Sequence, residues 1–573
     1  MMDMMTRIAS LTADAMSSLW PDASGLPDAA ELRGLLAVPP DPGLGDYAFP
    51  CFRLAKALRM PPVKIAEALC ASWTHADVAE VRPVNGYMNF FLNRRNFAAE
   101  TMAALQQAGD RFGASDIGRG KTICLDYSSI NIAKRFHIGH LSTTMIGHSL
   151  RRIYDFLGYR TVGINHLGDW GTQFGKMICA YVKWGSREEV EAGGVDALTR
   201  LYVRFHEEAE THPELEDEGR AWFKKIEDGD AEALSIFAWF KEITLKDAAR
   251  VYDLLGVSFD SYAGESFYAD KTGAIVEELR RKGLLTQSEG AWVVDLSEDQ
   301  MPPCLILKKD GTTIYATRDL AAAKYRQDTY HFDKCLYVVA YQQDLHFRQV
   351  FRVLEKMGYA WARDCVHVSF GMVSFEGGAL STRKGNVIHL EDLLSQAVDK
   401  ALAIIEEKSP DLPNKEEVAR QVGIGAVIYT DLSSNRIKDI DFSWERALNF
   451  DGETGPYVQY THARCCSLLR KAKDMSLPDP DWSALTDDEA QSLLRLMSRF
   501  PDVVLEAAEK YEPSMITRAV TDIAQALNKY YYEHRILDGN PAETAARVAL
   551  ADAVRSLLKT GLYLIGIEAP ERM

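Results

Sequence analysis

A cluster of polar and charged residues between positions 126 and 140 has the composition of a phosphate-binding site. Two serines, an asparagine and a lysine separate Asp126 from the pair His137 and His140. Because these histidines are three residues apart, they would share one face on the first turn of a helix. Their imidazole N–H groups could donate hydrogen bonds to phosphate oxygens, and Gly139 between them has no side chain to keep a purine ring away.

Simpler interpretations of the two histidines stay open at this point. Such a pair can mark the start of a helix, or it can hold a metal ion together with a third ligand. The sequence shows no obvious third ligand at a suitable spacing nearby. A His-x-x-His pair alone is therefore a weak indication of function, and the rest of the chain must decide.

A strand and a helix are the elements that would position this cluster. Residues 122–126 form a short apolar run that is typical of a buried strand. Apolar residues recur at helical spacing from 138 to 157, and Gly158 is placed to end that helix. Residues 161–165 then predict a second strand, which completes a β-α-β unit of a parallel sheet. Ligands bind at the carboxyl ends of such strands and phosphates favour helix N-termini, so both rules place a site at the cluster.

A second candidate phosphate-binding segment lies far downstream, at residues 377–386. Its glycines, small hydroxyls and the adjacent Arg383 and Lys384 make a loop suited to closing over a triphosphate. The two segments together resemble the HIGH and KMSKS motifs of the class I aminoacyl-tRNA synthetases. Three further segments narrow the resemblance to the arginyl-tRNA synthetases, nearly end to end: 165–175, 337–346 and 566–573.

The resemblance implies a multidomain α/β fold. Its catalytic domain would be a class I Rossmann-type parallel sheet, with an α+β tRNA-binding domain before it and an all-α anticodon-binding bundle after it. Breaks in the sequence pattern divide the chain. The expected domains are a module for the tRNA elbow at 1–112, a catalytic domain at 113–390 with a largely helical insertion at about 184–300, a helical connector to the tRNA stem at 391–450 and an anticodon-binding domain at 451–573.

An arginine-binding site is the next implication of the resemblance. A guanidinium needs carboxylates that accept its N–H groups, and Tyr315 and Asp319 are four residues apart on one face of a predicted helix. The family pattern assigns these two residues, with Gln343, to the guanidinium. It assigns the amino-acid end of the substrate to Asp126, Ser129, Ile130, Asn131 and His140, with Asp126 near the α-amino group. From the residues alone, a salt bridge from Asp319 to Arg318 or a nearby lysine is an equal alternative.

Contacts to ATP and tRNA follow from the same resemblance. His137 and His140 would stabilise the phosphates, and Lys134, Arg383 and Lys384 would supply positive charge. Gly139 and Gly385 would complete the nucleotide site. The expected tRNA contacts are Tyr87, Asn89, Arg464 and Met573. For a charged helix face such as that of Arg464, simple solvation is the alternative.

The implied reaction has two steps and uses L-arginine, ATP and tRNA(Arg). The arginine carboxylate attacks the α-phosphate and gives arginyl-adenylate and diphosphate, and a terminal ribose hydroxyl of the tRNA then takes the arginyl group. Catalysis requires positioning and charge neutralisation, and no side-chain nucleophile. Mg²⁺ is expected with ATP, without zinc or a protein metal site. The family also typically needs bound tRNA before it activates arginine.

Composition agrees with a large soluble enzyme. The 573 residues with 47% hydrophobic content are ample for several cores, and no apolar run approaches the roughly 18 residues of a membrane span. Nine cysteines without a C-x-x-C pair argue against zinc ribbons and disulfides and favour the cytoplasm. The net charge of −17 argues against non-specific polyanion binding, but local patches can still contact tRNA. By analogy with the family we expect a monomer.

Four positions depart from the family pattern. Ile130 replaces a proline, Ser142 an arginine, His148 an aspartate or asparagine, and Ala379 the first lysine of the second motif. Lys134 could replace the missing cation, whose loss would lower the rate by about 10–100-fold. These departures motivate one alternative, a divergent second copy with an altered acceptor or a role in inhibitor resistance. A non-enzymatic tRNA-binding protein is another alternative, against which the intact His137 and Asp319 stand.

Overall fold

The computed structural model describes residues 4–375 and 388–573, and its chain forms two compact units. One unit consists of Met1–Phe112, Leu468–Ser498 and Gln525–Ser556, and the other consists of Gly113–Ser467, Arg499–Ala524 and Leu557–Met573. The break after residue 112 is also the first boundary expected from the sequence. The finer division into four functional domains stays a prediction.

The N-terminal part of the first unit is an antiparallel sheet with helices. Its elements are α1 (Met4–Leu19), α2 (Ala29–Leu35), β1 (Tyr47–Pro50), α3 (Ala55–Leu58), α4 (Pro62–Ser72), β2 (Val78–Val84), β3 (Tyr87–Leu92) and α5 (Arg94–Ala108). The strand order is β1-β3-β2. Asn85 and Gly86 join β2 to β3 with φ values of 50° and 84°, the left-handed pair that a tight hairpin requires. Residues 84–92, whose Asn-Gly pair and following apolar run predict a turn and then a strand, accordingly contain this hairpin turn and β3.

The second unit contains the remaining strands and most of the helices. The first half of it comprises β4 (Thr122–Asp126), α6 (Leu141–Phe156), β5 (Arg160–Ile164), α7 (Thr172–Trp184), α8 (Arg187–Thr211), α9 (Glu214–Glu227), α10 (Ala231–Leu255), α11 (Glu265–Tyr268), α12 (Thr272–Arg281), β6 (Leu285–Ser288), β7 (Ala291–Val294) and β8 (Cys304–Leu307). The second half comprises α13 (Tyr315–Tyr330), β9 (Lys334–Tyr337), α14 (Asp344–Lys356), β10 (Cys365–His367), β11 (Val373–Phe375), α15 (Leu390–Lys408), α16 (Lys415–Leu432), β12 (Ile440–Phe442) and α17 (Trp444–Ala447).

A four-stranded parallel sheet in the order β10-β9-β4-β5 is the centre of the second unit. Asp126, the last residue of β4, is in register with Tyr337 of β9 and Ile164 of β5. The chain leaves β4, passes through the two histidines into α6, and returns in β5, with Gly158 at φ 81° after the helix. The predicted β-α-β unit is therefore confirmed, and its polar cluster lies at the carboxyl end of the sheet.

The region between β5 and β9 is mostly helical, as expected for the insertion. Residues 291–296 form a mostly apolar run that predicts a strand within the insertion, and this run contains β7, the middle strand of an antiparallel sheet β6-β7-β8. The predicted helix that carries Tyr315 and Asp319 is expected to span residues 312–326, but α13 begins only at Tyr315, because Thr313 pairs with Leu307 in an isolated bridge.

Long helices dominate the chain after residue 390, as its apolar spacing predicts. The last ones are α18 (Gly455–Ala472), α19 (Asp488–Ser498), α20 (Phe500–Lys510), α21 (Ser514–Glu533) and α22 (Pro541–Leu564). Within the residues that the structure describes, no helix has the length and apolarity needed to cross a membrane.

Candidate active site

The loop that follows β4 has an unusual backbone conformation. Ser128, Ser129 and Ala133 all have positive φ values, of 72°, 45° and 61°. Side chains have to hold such residues in place: the Ser128 N–H donates to Thr143 Oγ1 (3.0 Å) and the Ala133 N–H donates to Thr244 Oγ1 (2.9 Å). Strained non-glycine residues of this kind persist only where the surrounding structure fixes them, and they cluster at functional sites.

The two histidines of the first motif are oriented by the backbone around them. His137 precedes a single 3₁₀ turn, Ile138–His140, and its Nδ1 accepts a hydrogen bond from the Gly139 N–H (3.1 Å). The Nδ1 of His140 accepts from the His137 N–H (3.2 Å). Because both Nδ1 atoms are acceptors, each neutral ring holds its proton on Nε2. A side chain at residue 139 does not fit, since its Cβ would lie 2.9 Å from His137 Cε1.

Burial keeps both of these histidines uncharged near neutral pH. Burial, with the nearby His389 and Lys134, lowers the pKa of His137 to about 4. Burial and the neighbouring His137 lower the pKa of His140 to about 3. The pair can therefore donate hydrogen bonds from Nε2, while positive charge must come from other residues.

The first motif is hydrogen-bonded to the chain that follows the second motif. The Ile138 N–H donates to the Ile388 carbonyl (3.1 Å), and the Leu390 N–H donates to the Phe136 carbonyl (2.9 Å). The first motif is therefore held against residues 388–390, the segment where the described chain resumes. Four residues singled out in the second motif lie outside the described residues: Ala379, Arg383, Lys384 and Gly385.

Asp126 is paired with a buried arginine that no motif in the sequence marks. Arg326 is only 1% exposed, and its Nη2 lies 2.8 Å from Asp126 Oδ2. The other carboxylate oxygen, Oδ1, accepts a hydrogen bond from Ser129 Oγ (2.9 Å). Asp126 is thus held in place at the end of β4, with one protein contact to each of its carboxylate oxygens.

Ile130 and Asn131 join the loop after β4 to the loop after β5. The Ile130 side chain is buried, and its carbonyl accepts a hydrogen bond from the Gly168 N–H (2.9 Å). Asn131 is exposed and lies so close to Gly168 that a Cβ on residue 168 would come within 2.4 Å of Asn131 Oδ1. Of the two residues, only Asn131 offers a side chain to a ligand.

Tyr315 and Asp319 lie on the first turns of α13 and share a neighbour on α14. The ring of Tyr315, which is 55% exposed, is centred 4.8 Å from the ring of His346. The Nε2 of His346 lies 2.7 Å from Asp319 Oδ2, and the Nε2 of His166 lies 3.9 Å from Oδ1. Gln343 is exposed at the start of α14, three residues before His346.

The alternative of a salt bridge between Asp319 and Arg318 is wrong. Arg318 points to Glu265 instead, with its Nε 2.9 Å from Oε2. Burial alone would raise the pKa of Asp319, but the hydrogen bond and charge of His346, together with His166, outweigh it and lower that pKa. Asp319 is therefore an ionised carboxylate held by imidazoles, which can receive a cationic ligand.

Sequence reasoning missed three residues of this site, namely Arg326, His166 and His346. Residues 165–175 and 337–346 attracted notice only as family-like segments, without roles for their members. The three residues come from separate segments that the fold brings together, so no local spacing could have linked them. Arg326 is one of five charged residues in α13, so its sequence context does not distinguish it from the exposed ones.

Two of the departures from the family pattern lie buried on α6. Ser142 Oγ is 2.5 Å from Asp431 Oδ1, and burial raises the pKa of Asp431 to about 7. His148 is also buried, and neither of its ring nitrogens has a hydrogen-bond partner among the described residues. Burial and the charges of Arg152 and Arg151 hold the pKa of His148 well below its usual range.

The expected tRNA contacts differ in their surroundings. In β3, Tyr87 is 41% exposed but Asn89 is only 3% exposed, so the Asn89 side chain is not at the surface, where a tRNA could contact it. The guanidinium of Arg464 lies over the Tyr460 ring, 4.9 Å from its centre. Met573 packs against the buried apolar residues of α15 and α16.

One group of side chains in the first unit has the composition of a metal site. Asp487, Glu489 and His534 bring their ligand atoms within 4.8 Å of one another. Protein groups already engage both carboxylates: Asp487 accepts from the Ala490 N–H (2.7 Å), and Glu489 lies 3.4 Å from Lys529 Nζ. Around the two histidines of the first motif, the described residues include no such cluster.

Three protein-family models match this chain in succession. They are the arginyl tRNA synthetase N terminal domain at residues 7–92, the tRNA synthetases class I (R) catalytic domain at 102–444, and the DALR anticodon binding domain at 458–573. The catalytic model alone covers more than half of the chain.

Similar proteins agree with the family models. The chain is 53% identical to an arginine–tRNA ligase of Alkaliphilus metalliredigens and to one of Clostridioides difficile, in each case over 95% of this chain and 96% of the relative. Its structure matches an arginyl-tRNA synthetase of Thermus thermophilus with a TM-score of 0.82, 26% identity and full coverage of both chains. The parallel-sheet catalytic domain, the N-terminal domain and the C-terminal helical domain expected from the sequence are thereby confirmed. The chain belongs to the class I arginyl-tRNA synthetases.

Proposed function

We propose that this chain activates L-arginine with ATP and transfers the arginyl group to tRNA(Arg), releasing diphosphate and AMP. The observation that supports it most directly is Asp319, an ionised carboxylate beside Tyr315 and held by His346. Carboxylates placed in this way match the fork of N–H donors on a guanidinium. No observation favours the alternative of a divergent second copy.

At the ATP phosphates, different residues would supply the hydrogen bonds and the positive charge. His137 and His140 are neutral and would donate from Nε2 to phosphate oxygens as negative charge develops. Lys134 is exposed and pairs with no described carboxylate, so its charge is available for a phosphate. Arg383 and Lys384 would supply further charge. Mg²⁺ would arrive with ATP as part of the substrate.

On the arginine side, we propose that the substrate lies between Asp126 and Asp319. Asp319, Tyr315 and Gln343 would contact the guanidinium, and Asp126 would lie near the α-amino group. Ser129, Asn131 and His140 would complete the amino-acid end. The strained loop after β4 supports this assignment, because it fixes the backbone on which these polar groups lie.

For the tRNA, the N-terminal and anticodon-binding family models support contacts at both ends of the chain. Tyr87, Arg464 and the C-terminal Met573 are the residues we propose for them. We also propose a monomer in the cytoplasm. All nine cysteines are free thiols, which agrees with a reducing compartment.

The variant Asp319→Ala tests the assignment of the guanidinium site. It removes the charged partner of the substrate, so arginine-dependent ATP–diphosphate exchange should fall by about 100-fold or more. Affinity for tRNA, measured by filter binding, should stay within a factor of about 2. Asp328→Ala is the matched control, since Asp328 lies on the same helix in an exposed pair with Lys324 (2.6 Å). An equal loss of tRNA binding in Asp319→Ala would show that the residue is structural and would contradict the assignment.

A further inference from the structure

Arg326 is the centre of a chain of polar contacts that joins the two proposed ends of the arginine site. Its Nη2 lies 2.8 Å from Asp126 Oδ2 and 3.3 Å from His166 Nδ1. The opposite nitrogen of that imidazole, Nε2, lies 3.9 Å from Asp319 Oδ1. His346 holds the other oxygen of Asp319 (2.7 Å). One guanidinium is thus linked directly to Asp126 and, through a single ring, to Asp319.

The direction of the hydrogen bonds in this chain follows from the chemistry of its members. A guanidinium can only donate, so the Nδ1 of His166 must accept and its ring proton lies on Nε2. That nitrogen lies 3.9 Å from Asp319 Oδ1, an ion-pair distance and not a hydrogen bond. Arg326 therefore determines which nitrogen of His166 is presented to the carboxylate proposed for the substrate guanidinium.

The position of Arg326 is fixed by its surroundings. The side chain is 1% exposed, and its guanidinium carbon lies 5.2 Å from the centre of the Tyr337 ring on β9. Burial acts against the charge, but the Asp126 carboxylate outweighs it and raises the pKa of Arg326 well above its usual range. The enclosed guanidinium is planar and permanently charged, so it can hold two partners in a fixed geometry. A lysine has a single ammonium group on a flexible side chain.

We propose that Arg326 is a positioning residue that fixes Asp126 and Asp319 relative to each other and so sets the length of the amino acid that the site accepts. The proposal rests on the proposed function, in which these two carboxylates receive the two cationic ends of arginine. Arg326 does not touch the substrate in this account. It acts by holding Asp126 and by orienting His166.

The test compares arginine with homoarginine, which is longer by one methylene, in exchange assays with tRNA present. One methylene is worth about 10–200-fold in discrimination at a well-defined site. In Arg326→Lys the ratio of kcat/KM for arginine over homoarginine should fall by about tenfold, while the KM for ATP and the affinity for tRNA stay unchanged. A substitution that only weakens the fold would lower activity toward both amino acids and leave the ratio unchanged.

A second variant keeps the test informative if Arg326→Lys does not fold. His166→Phe retains a ring beside Tyr268, which now lies 5.6 Å from the His166 ring, but breaks the link between Arg326 and Asp319. It should lower the same ratio. Arg151→Lys is the control, because it alters an arginine of the same unit that is paired with Asp260 (2.8 Å) and contacts neither Asp126 nor Asp319.

The outcomes separate the proposal from the function on which it rests. The positioning role is supported if the wild type shows exchange and either folded variant shows a lowered ratio of kcat/KM for arginine over homoarginine. An unchanged ratio in folded Arg326→Lys and His166→Phe, with exchange intact in the wild type, would overturn it. A wild-type protein without arginine-dependent exchange would overturn the proposed function, and this proposal with it.

Discussion

At the scale of residues, the pair His137 and His140 acts through hydrogen bonding and not through charge. Both rings direct Nδ1 to backbone N–H groups and keep Nε2–H for a ligand. Their pKa values, about 4 and about 3, leave them neutral over the working range of pH. The positive charge that balances the phosphates must then come from lysine and arginine side chains. Lys134 is important for this reason, because Ala379 replaces the first lysine of the second motif.

His137→Ala should lower the turnover number far more than it raises the KM for arginine. Its Nε2–H would contact a phosphate oxygen whose negative charge grows in the transition state, and loss of one such donor lowers kcat by about 100–1000-fold. Steady-state exchange kinetics at several arginine concentrations measure both parameters. His212→Ala, which removes an exposed histidine, is the control. A large rise in KM with unchanged kcat would assign His137 to ground-state binding.

At the scale of elements, α6 links the first motif to the helical part of the second unit. Two residues after His140, Ser142 hydrogen-bonds to Asp431 on α16, and Asp431 Oδ2 has no partner among the described residues. A buried carboxyl with one neutral partner favours its protonated form. The helix that presents the histidines is therefore packed against a group that titrates near neutral pH.

Asp431→Asn should remove a pH-dependent loss of stability. The pKa of Asp431 is raised from 3.8 to about 7 on folding, so between these values the unfolded chain releases the proton that the folded chain retains. Stability of the wild type therefore falls as pH rises through this window, by up to about 4 kcal/mol, and no further above it. Calorimetric melting measures this effect. The melting temperature of the variant, relative to that of the wild type, should be higher at pH 8 than at pH 5.

The control for this comparison is Asp399→Asn, which neutralises an exposed aspartate on α15. It should follow the wild type at both pH values. Groups common to all three proteins cancel in the comparison, so the difference reports on Asp431. Equal shifts in wild type and Asp431→Asn would mean that the Asp431 carboxyl does not titrate in this window.

At the scale of the whole molecule, the sequence predicts what local patterns encode. Apolar periodicity was sufficient to predict β4, α6 and β5. The residue types Asn85 and Gly86 were sufficient to predict the turn before β3. Pairings between distant segments were not predictable. The strand β12 pairs with β11 more than 60 residues earlier, and a three-residue strand has no periodicity to detect.

The same difference between local patterns and contacts of distant segments applies to the candidate site. Asp126, His137 and Asp319 could be selected because motif and spacing mark them. Their partners could not be selected from the sequence. Arg326 contacts Asp126, and Asp431 contacts α6, the helix that follows the histidines, only after the parallel sheet and α16 are assembled. Burial was equally hidden: Tyr87 and Asn89 are two residues apart in β3 and would share a face, but Asn89 lies inside while Tyr87 lies at the surface.

Arginine-dependent ATP–diphosphate exchange, measured with and without total tRNA, tests the central claim most directly. It reports formation of arginyl-adenylate, the step proposed for this site. The account predicts exchange with arginine and tRNA present, and none with tRNA omitted. Absence of exchange under both conditions, in a protein that still binds tRNA, would contradict it.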